Sequence, residues 1–291
     1  MTVRVHHLNC GTMCPLGGRL VDDRTRGFGS ATTVCHCLLI ETDAGLVLVD
    51  TGLGRKDVDQ ARERLGRPMR ALLRPRLEMA ETADEQIRRL GYATRDVRHI
   101  VLTHLDFDHA GGIEDFPYAH VHVYAEELNA ATHRRGFIAR QRYRPRQWDQ
   151  TIQWKTYVAH GEPWFGFRCV REIEGLPPEI LMVPLVGHTY GHCGVAVHDG
   201  AQWLLHAGDA YFFRDEIPQR SVPGPALPRC TPGLALLQRV MQVDRTARLL
   251  NQQRLRELAV QHGDQVRIFS AHDAVEFERL TAARVGGPGS R

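Results

Sequence analysis

Short apolar runs rich in Val, Ile and Leu recur along the chain, each bounded by polar or turn-forming residues. Runs of that kind predict strands. They cover Val3–Leu8, Thr33–Ile40, Leu46–Asp50, Arg98–Thr103, Ala119–Tyr124, Ile180–Val186, Cys193–His198, Gln202–Leu205 and Val266–Ser270. Helical signals fall between them. Thr82-Ala83-Asp84-Glu85 has the form of a capping box, and it opens a helix through Ile87 and Leu90 to Gly91. A long helix is expected over Asp244–His262. Strands and helices mixed in this order, with antiparallel candidates among the strands, predict a layered α/β fold.

Residues 125–175 change character. They are rich in Arg, with Trp148, Trp154, Trp164, Phe165 and Phe167 interleaved, and read as a partly helical insertion. A single domain over 1–285 is expected, with a proline-rich loop at Pro218, Pro223, Pro225, Pro228 and Pro232. The end, from Gly286 to Arg291, reads as a flexible tail.

Composition narrows the classes. At 291 residues and 43% hydrophobic, the chain can bury a large core. A net charge of +3 argues against a nucleic-acid-binding surface. No apolar stretch approaches the roughly 18 residues that a membrane helix needs, and the start of the chain lacks a signal-peptide pattern. Seven scattered cysteines, an odd number, imply reduced thiols in a cytoplasmic protein. Cys35 and Cys37 alternate along one strand face and read as packing residues, and Cys10-Gly-Thr-Met-Cys14 also reads as structural.

The chemistry concentrates in His104-Leu105-Asp106-Phe107-Asp108-His109, on a loop at a strand's end. Imidazoles and carboxylates are ligands for zinc and for harder divalent ions. Two carboxylates this close repel each other, and a metal supplies the missing charge. A solvated polar loop is the plainer reading of this segment alone. Three more residues stand where strands are expected to end: His188 in Gly187-His-Thr-Tyr-Gly-His192, Asp209 in His206-Ala-Gly-Asp209, and His272 in Ser270-Ala-His-Asp273.

With Asp50 in Val-Asp-Thr-Gly, these segments occur in the order found in the metallo-β-lactamase-fold hydrolases, which the sequence resembles. Within them it is most similar to the lactonase-like branch, which includes acyl-homoserine lactonases. The resemblance implies a four-layer αββα sandwich with two metal ions, zinc above all, at one edge. It implies that His104 and His188 hold the first metal, that Asp108, His109 and His272 hold the second, and that Asp209 bridges them. Asp50 would orient a ligand histidine, and His192 would pack or support rather than ligate. The reaction implied is attack by a metal-bridging hydroxide on an ester-type bond, a lactone or another carboxylic ester, with Asp108 and Asp209 orienting the hydroxide and passing its proton. A thioesterase, a phosphodiesterase and a non-catalytic metal or oxygen sensor are the competing readings. The partner expected is a small-molecule ester, with no nucleic acid and no membrane, and a homodimer is left open.

The sequence departs from its relatives at two points. Their cluster reads His-x-His-x-Asp-His, and Asp106 stands in place of the second histidine. Three carboxylates and a hydroxide then cancel two divalent ions, so the first metal should bind loosely and suit iron or manganese as well as zinc. On that count Asp106→His should tighten it. The second departure is Tyr211, two residues after Asp209, which reads as an oxyanion donor or as wall packing. Met13, Leu16, Phe107, Tyr211, Phe212 and the aromatic insertion are candidate pocket walls. Arg134, Arg135, Arg140, Arg142, Arg144 and Arg146 read as a solvated helix face, with a patch for an anionic substrate as the alternative.

Overall fold

Buried on both faces, the central runs Thr33–Ile40 and Leu46–Asp50 leave no polar side, which is why they read as nearly continuous. The computed structural model describes residues 3–148, 151–218 and 227–285. Among them, two six-stranded sheets form. The first holds, in spatial order, β1 (Arg4–Met13), β2 (Thr33–Thr42), β3 (Gly45–Val49), β4 (Val97–Val101), β5 (His120–Tyr124) and β6 (Gln153–Tyr157). The second holds β7 (Glu162–Trp164), β8 (Phe167–Glu172), β9 (Ile180–Pro184), β10 (Cys193–His198), β11 (Trp203–His206) and β12 (Val266–Phe269). The strands from β1 to β3 pair antiparallel and those from β3 to β6 parallel. The second sheet is antiparallel except for the β11–β12 pair.

Alternation along each strand sorts the side chains into layers. Leu38, Ile40, Val47 and Val49 face the other sheet and pack with Met182, Val195, Val197 and Phe269. Their neighbours Leu39, Leu48 and Ile100 face outward onto Ile87 of the helix Ala83–Arg89. Ala196 and Leu205 of the second sheet pack outward on Leu255 and Leu258 of the helix Arg245–Gln261. The result is the expected order of helix, sheet, sheet and helix.

Both helices are capped where the sequence indicates. Thr82 Oγ1 accepts the Glu85 N–H at 3.4 Å, and Asp244 Oδ1 accepts the Ala247 N–H at 2.9 Å. Residues 125–175 are partly helical, with helices Ala125–His133 and Gly136–Arg142. They also supply β6, β7 and β8, the outer strands of both sheets, so the chain passes from one sheet to the other here. Trp148 and Trp154 pack outside the first sheet, and Trp164, Phe165 and Phe167 pack outside the second.

All seven cysteines are free. Among the described residues, no helix is long and apolar enough to cross a membrane. The tail 286–291, Pro223 and Pro225 lie outside the described residues.

One link between the sheets places the site. The Val34 and His36 N–H groups of β2 donate to the carbonyls of His272 and Ala271, which follow β12. The end of the second sheet is thereby tied to the first.

Candidate metal centre

Each donor segment leaves the end of a strand. The segment after β4 carries His104 and Asp106 on a loop and Asp108 and His109 in the short helix Phe107–Ala110, while His188 follows β9, Asp209 follows β11 and His272 follows β12. These side chains converge on Asp209. His104 Nε2 and His188 Nε2 lie 3.7 and 3.3 Å from Asp209 Oδ2, and both face Asp106 Oδ2, at 3.5 and 3.1 Å. On the other side, His109 Nε2 and His272 Nε2 lie 3.3 and 3.1 Å from Asp209 Oδ1, and 3.3 Å from each other. Asp108 Oδ2 stands 3.8 Å from His272 Nε2. All seven residues are buried.

The donors fit divalent ions. His104 Nε2 and Asp209 Oδ1 are buried and have no hydrogen-bond partner, an arrangement that costs about 1–3 kcal/mol per group unless something else fills the role. Four donors at about 2.0–2.1 Å from a zinc ion stand roughly 3.3 Å apart, close to the spacing around His104, Asp106, His188 and Asp209.

The imidazoles are aimed by their other nitrogens. His272 Nδ1 donates to the Val34 carbonyl at 2.8 Å, which turns Nε2 toward Asp209. His109 Nδ1 donates to Asp50 Oδ2 at 2.8 Å. Thr103 Oγ1 donates to the same oxygen at 2.8 Å and so accepts from His104 Nδ1 at 2.9 Å. Asp50 therefore orients two histidines, one of them through Thr103. His192 donates from Nδ1 to the Leu185 carbonyl and accepts the Asp209 N–H on Nε2 at 2.9 Å, a supporting role. Burial alone would raise the Asp209 carboxyl, but the surrounding imidazoles, His272 and His109 first, hold it well below its ordinary range.

Three features escaped the sequence. Arg142 is buried, although its arginine-rich run reads as a solvated face; Arg135, Arg140 and Arg146 are exposed as expected. Its Nε lies 2.9 Å from Asp106 Oδ1, Nη1 donates to the His188 carbonyl at 3.0 Å, and Nη2 lies 3.0 Å from His188 Nε2. Burial opposes the Asp106 charge, yet Arg142 and then His104 outweigh it and hold its carboxyl well below the usual range. Glu127 accepts the N–H groups of Leu105 and Gly191 at 3.0 and 3.1 Å, joining the two loops that carry His104 and His188. Cys35 brings Sγ within 4.8 Å of donor atoms of Asp108 and His272.

Tyr211 is fully buried, and its hydroxyl donates to Glu276 at 3.0 Å. It packs in the core with Ile217, Leu255 and Ile268 and gives no support to an oxyanion role. A cavity of about 50 Å³ lies over the donors, walled by Met13, Phe107 and Phe212 as expected. Met69, Leu237 and Met241 are among its other walls, whereas Leu16, Tyr211 and the aromatic residues of 125–175 are not.

Comparison with known proteins agrees with this geometry. Residues 31–256 match the Metallo-beta-lactamase superfamily. A probable metallo-hydrolase of Mycobacterium tuberculosis (strain ATCC 25618 / H37Rv) is 43% identical over 272 residues, covering 93% of this chain and 80% of that protein. The N-acyl homoserine lactonase AiiA of Bacillus thuringiensis subsp. kurstaki is 32% identical over 187 residues, covering 62% of this chain and 67% of that protein. The solved structure of an N-acyl homoserine lactone hydrolase, with the product N-hexanoyl-L-homoserine at its catalytic metal center, is similar in fold. Its TM-score is 0.70 at 22% identity, covering 96% of this chain and 97% of that one. With the family matched over most of its length and the donor segments in place at the strand ends, the chain belongs to the metallo-β-lactamase superfamily.

Proposed function

We propose that the chain is a metal-dependent hydrolase that cleaves an ester-type bond, a lactone or another carboxylic ester. The observation that carries this reading is the convergence of two donor sets on one shared carboxylate, Asp209, beneath an apolar cavity. Divalent ions bound there supply Lewis acidity and make water a nucleophile near neutral pH. His104, Asp106 and His188 would hold one ion, and Asp108, His109 and His272 the other, with Asp209 between them.

The protein's own groups then order the reaction. Asp209 stays ionised and orients the attacking water from between the two sets. Asp108 is the one of the three site carboxyls in which burial outweighs the neighbouring charges, so it lies above its ordinary range, and we assign its carboxylate the task of taking and passing on the proton. Met13, Phe107 and Phe212 keep bulk water from the reacting carbonyl and suit an apolar acyl group. The small cavity has no room for a whole substrate. A groove of about 670 Å³, lined by Tyr143, Tyr190 and Val243 among others, adjoins it at Met241 and would take the remainder. The activity named for the B. thuringiensis relative and the product in the similar structure support the ester reading.

The test is a hydrolysis panel of lactones, aryl esters, thioesters and phosphodiesters, run with zinc, manganese and iron. Turnover of lactones or aryl esters, lost in Asp108→Ala and His188→Ala with folding intact, is the expected result. Full activity in both variants would sink the site. Turnover confined to thioesters or phosphodiesters would move the assignment to those classes. Tight metal binding without any turnover would favour a sensor.

A further inference from the structure

Asp106 and Arg142 form a pair that changes the charge of the first donor set. Asp106 Oδ2 is the oxygen in that set, 3.1 Å from His188 Nε2. Oδ1 is turned away from it and faces Arg142 Nε at 2.9 Å. The two segments are also joined through the backbone, by a β-bridge between Asp106 and Tyr143. The guanidinium thus arrives beside Asp106 by main-chain register, not by a flexible reach from the surface. It is 1% exposed, and a guanidinium keeps its charge in any protein environment. A buried permanent cation needs a partner, and truncating either member of such a pair strands the other.

We propose that Arg142 is a positioning residue of the first metal site, whose fixed charge makes the Asp106 carboxylate the electrostatic equivalent of a neutral histidine. The inference rests on the two-metal reading above. The carboxylate contributes one negative charge and the guanidinium one positive charge, so the pair is neutral, as an imidazole would be. The site is then no poorer in positive charge than that of a relative with histidine at this position. The guanidinium also constrains geometry: Nη1 donates to the His188 carbonyl, Nε stands 2.9 Å from Oδ1 as an ion pair, and Nη2, 3.0 Å from His188 Nε2, must give up that nitrogen when an ion binds. With the pair neutral, the first metal should bind as firmly as in a relative with histidine at this position. The expected gain from Asp106→His is reversed, because that change leaves an uncompensated cation beside a divalent ion.

The test is a double-substitution cycle on the purified protein, reading metal ions per chain after dialysis and the melting temperature of the metal-free and metal-loaded forms. The wild-type protein is expected to hold two ions. Asp106→His alone should retain about one and melt lower. Asp106→His combined with Arg142→Leu should return to two. Arg142→Leu alone should lower the melting temperature of the metal-free form more than that of the loaded form, because an ion then replaces the lost positive charge.

An Asp106→His protein that keeps two ions at unchanged stability would overturn the pairing. So would a double variant no better than Asp106→His alone. If Asp106→His does not fold, the Arg142→Leu background decides: recovery of a folded, metal-binding protein supports the pairing, and failure in both backgrounds overturns it. A wild-type protein that binds no metal would instead remove the two-metal reading, while the melting temperatures of the metal-free cycle still judge the pair.

Discussion

His109 Nδ1 and Asp50 Oδ2 lie 2.8 Å apart, buried, and Asp50 reaches this position from a backbone with φ of 56°. The second carboxylate oxygen accepts the Thr103 N–H at 2.8 Å, so the start of the donor loop is fixed by the same group. Asp50→Asn keeps the size and tolerates the left-handed backbone, but loses the charge that aligns His109. Metal affinity at the second site is expected to fall by about 10–100-fold, with a smaller fall at the first, which Asp50 reaches through Thr103, and little change in the folded structure. Metal titration against a competing chelator measures it, and an unchanged affinity would count against the orienting role.

Glu127 ties the loops of His104 and His188 through two backbone N–H groups. Glu127→Ala leaves both donors buried and unpaired, for an expected loss of about 2–4 kcal/mol. The first site should weaken more than the second, since the joined loops carry its ligands. Urea unfolding gives the stability, and spectroscopy of a cobalt-substituted protein separates the sites. Equal weakening of both sites would argue for a general collapse.

Glu276 is raised to about 8 by burial, with Asp273 adding to the effect. Its ordinary value of 4.5 describes the unfolded chain. The folded protein therefore holds a proton that the unfolded chain releases across this window. The associated stability is full below about pH 4.5 and is lost as pH rises toward 8. Glu276→Gln should flatten stability against pH between 5 and 8, and unfolding midpoints at several pH values would show it. Parallel curves for the two proteins would contradict the assignment. Tyr211→Phe, which removes the hydroxyl bonded to Glu276, should lower stability by about 1–2 kcal/mol and leave turnover near the wild-type rate.

Removal of the ions should destabilise the whole domain, because the unfolded chain has no assembled site. At a free metal concentration about 100 times the dissociation constant, the linked stabilisation is about 2.7 kcal/mol per site. Calorimetry before and after chelation should show a fall of several degrees, restored by zinc, manganese or iron according to preference. An unchanged transition would mean that the donors are not a metal site.

The donors were legible because they are concentrated in short segments at the ends of strongly apolar strands. Of their supports, Asp50 and His192 were legible too, through the family resemblance, but others were not. Arg142 sits in a run of arginines of similar local composition, and only the Asp106–Tyr143 bridge sets it apart. Glu127 is the second of two adjacent glutamates on a helix, and its partners come from distant loops. The helix Pro232–Met241 was hidden in a proline-rich stretch, yet proline is well tolerated in a first turn, where its missing N–H has no partner to lose. Tyr211 was undecidable from its spacing, and the buried Glu276 beside it settles where its hydroxyl points. The strands β6 to β8 are short, and several of their residues remain exposed, so their pattern was weak.

The donor segments leave strands of both sheets: the loop after β4 belongs to the first, and His188, Asp209 and His272 belong to the second. Any ion held between them is therefore a cross-link between layers, in a chain whose cysteines form no disulfide. Its coordination bonds would do for this sandwich what a covalent bridge does for a small secreted domain. Loss of the ions would be felt first as slippage between the sheets, at the edge where protease and solvent gain entry, before any single strand came apart.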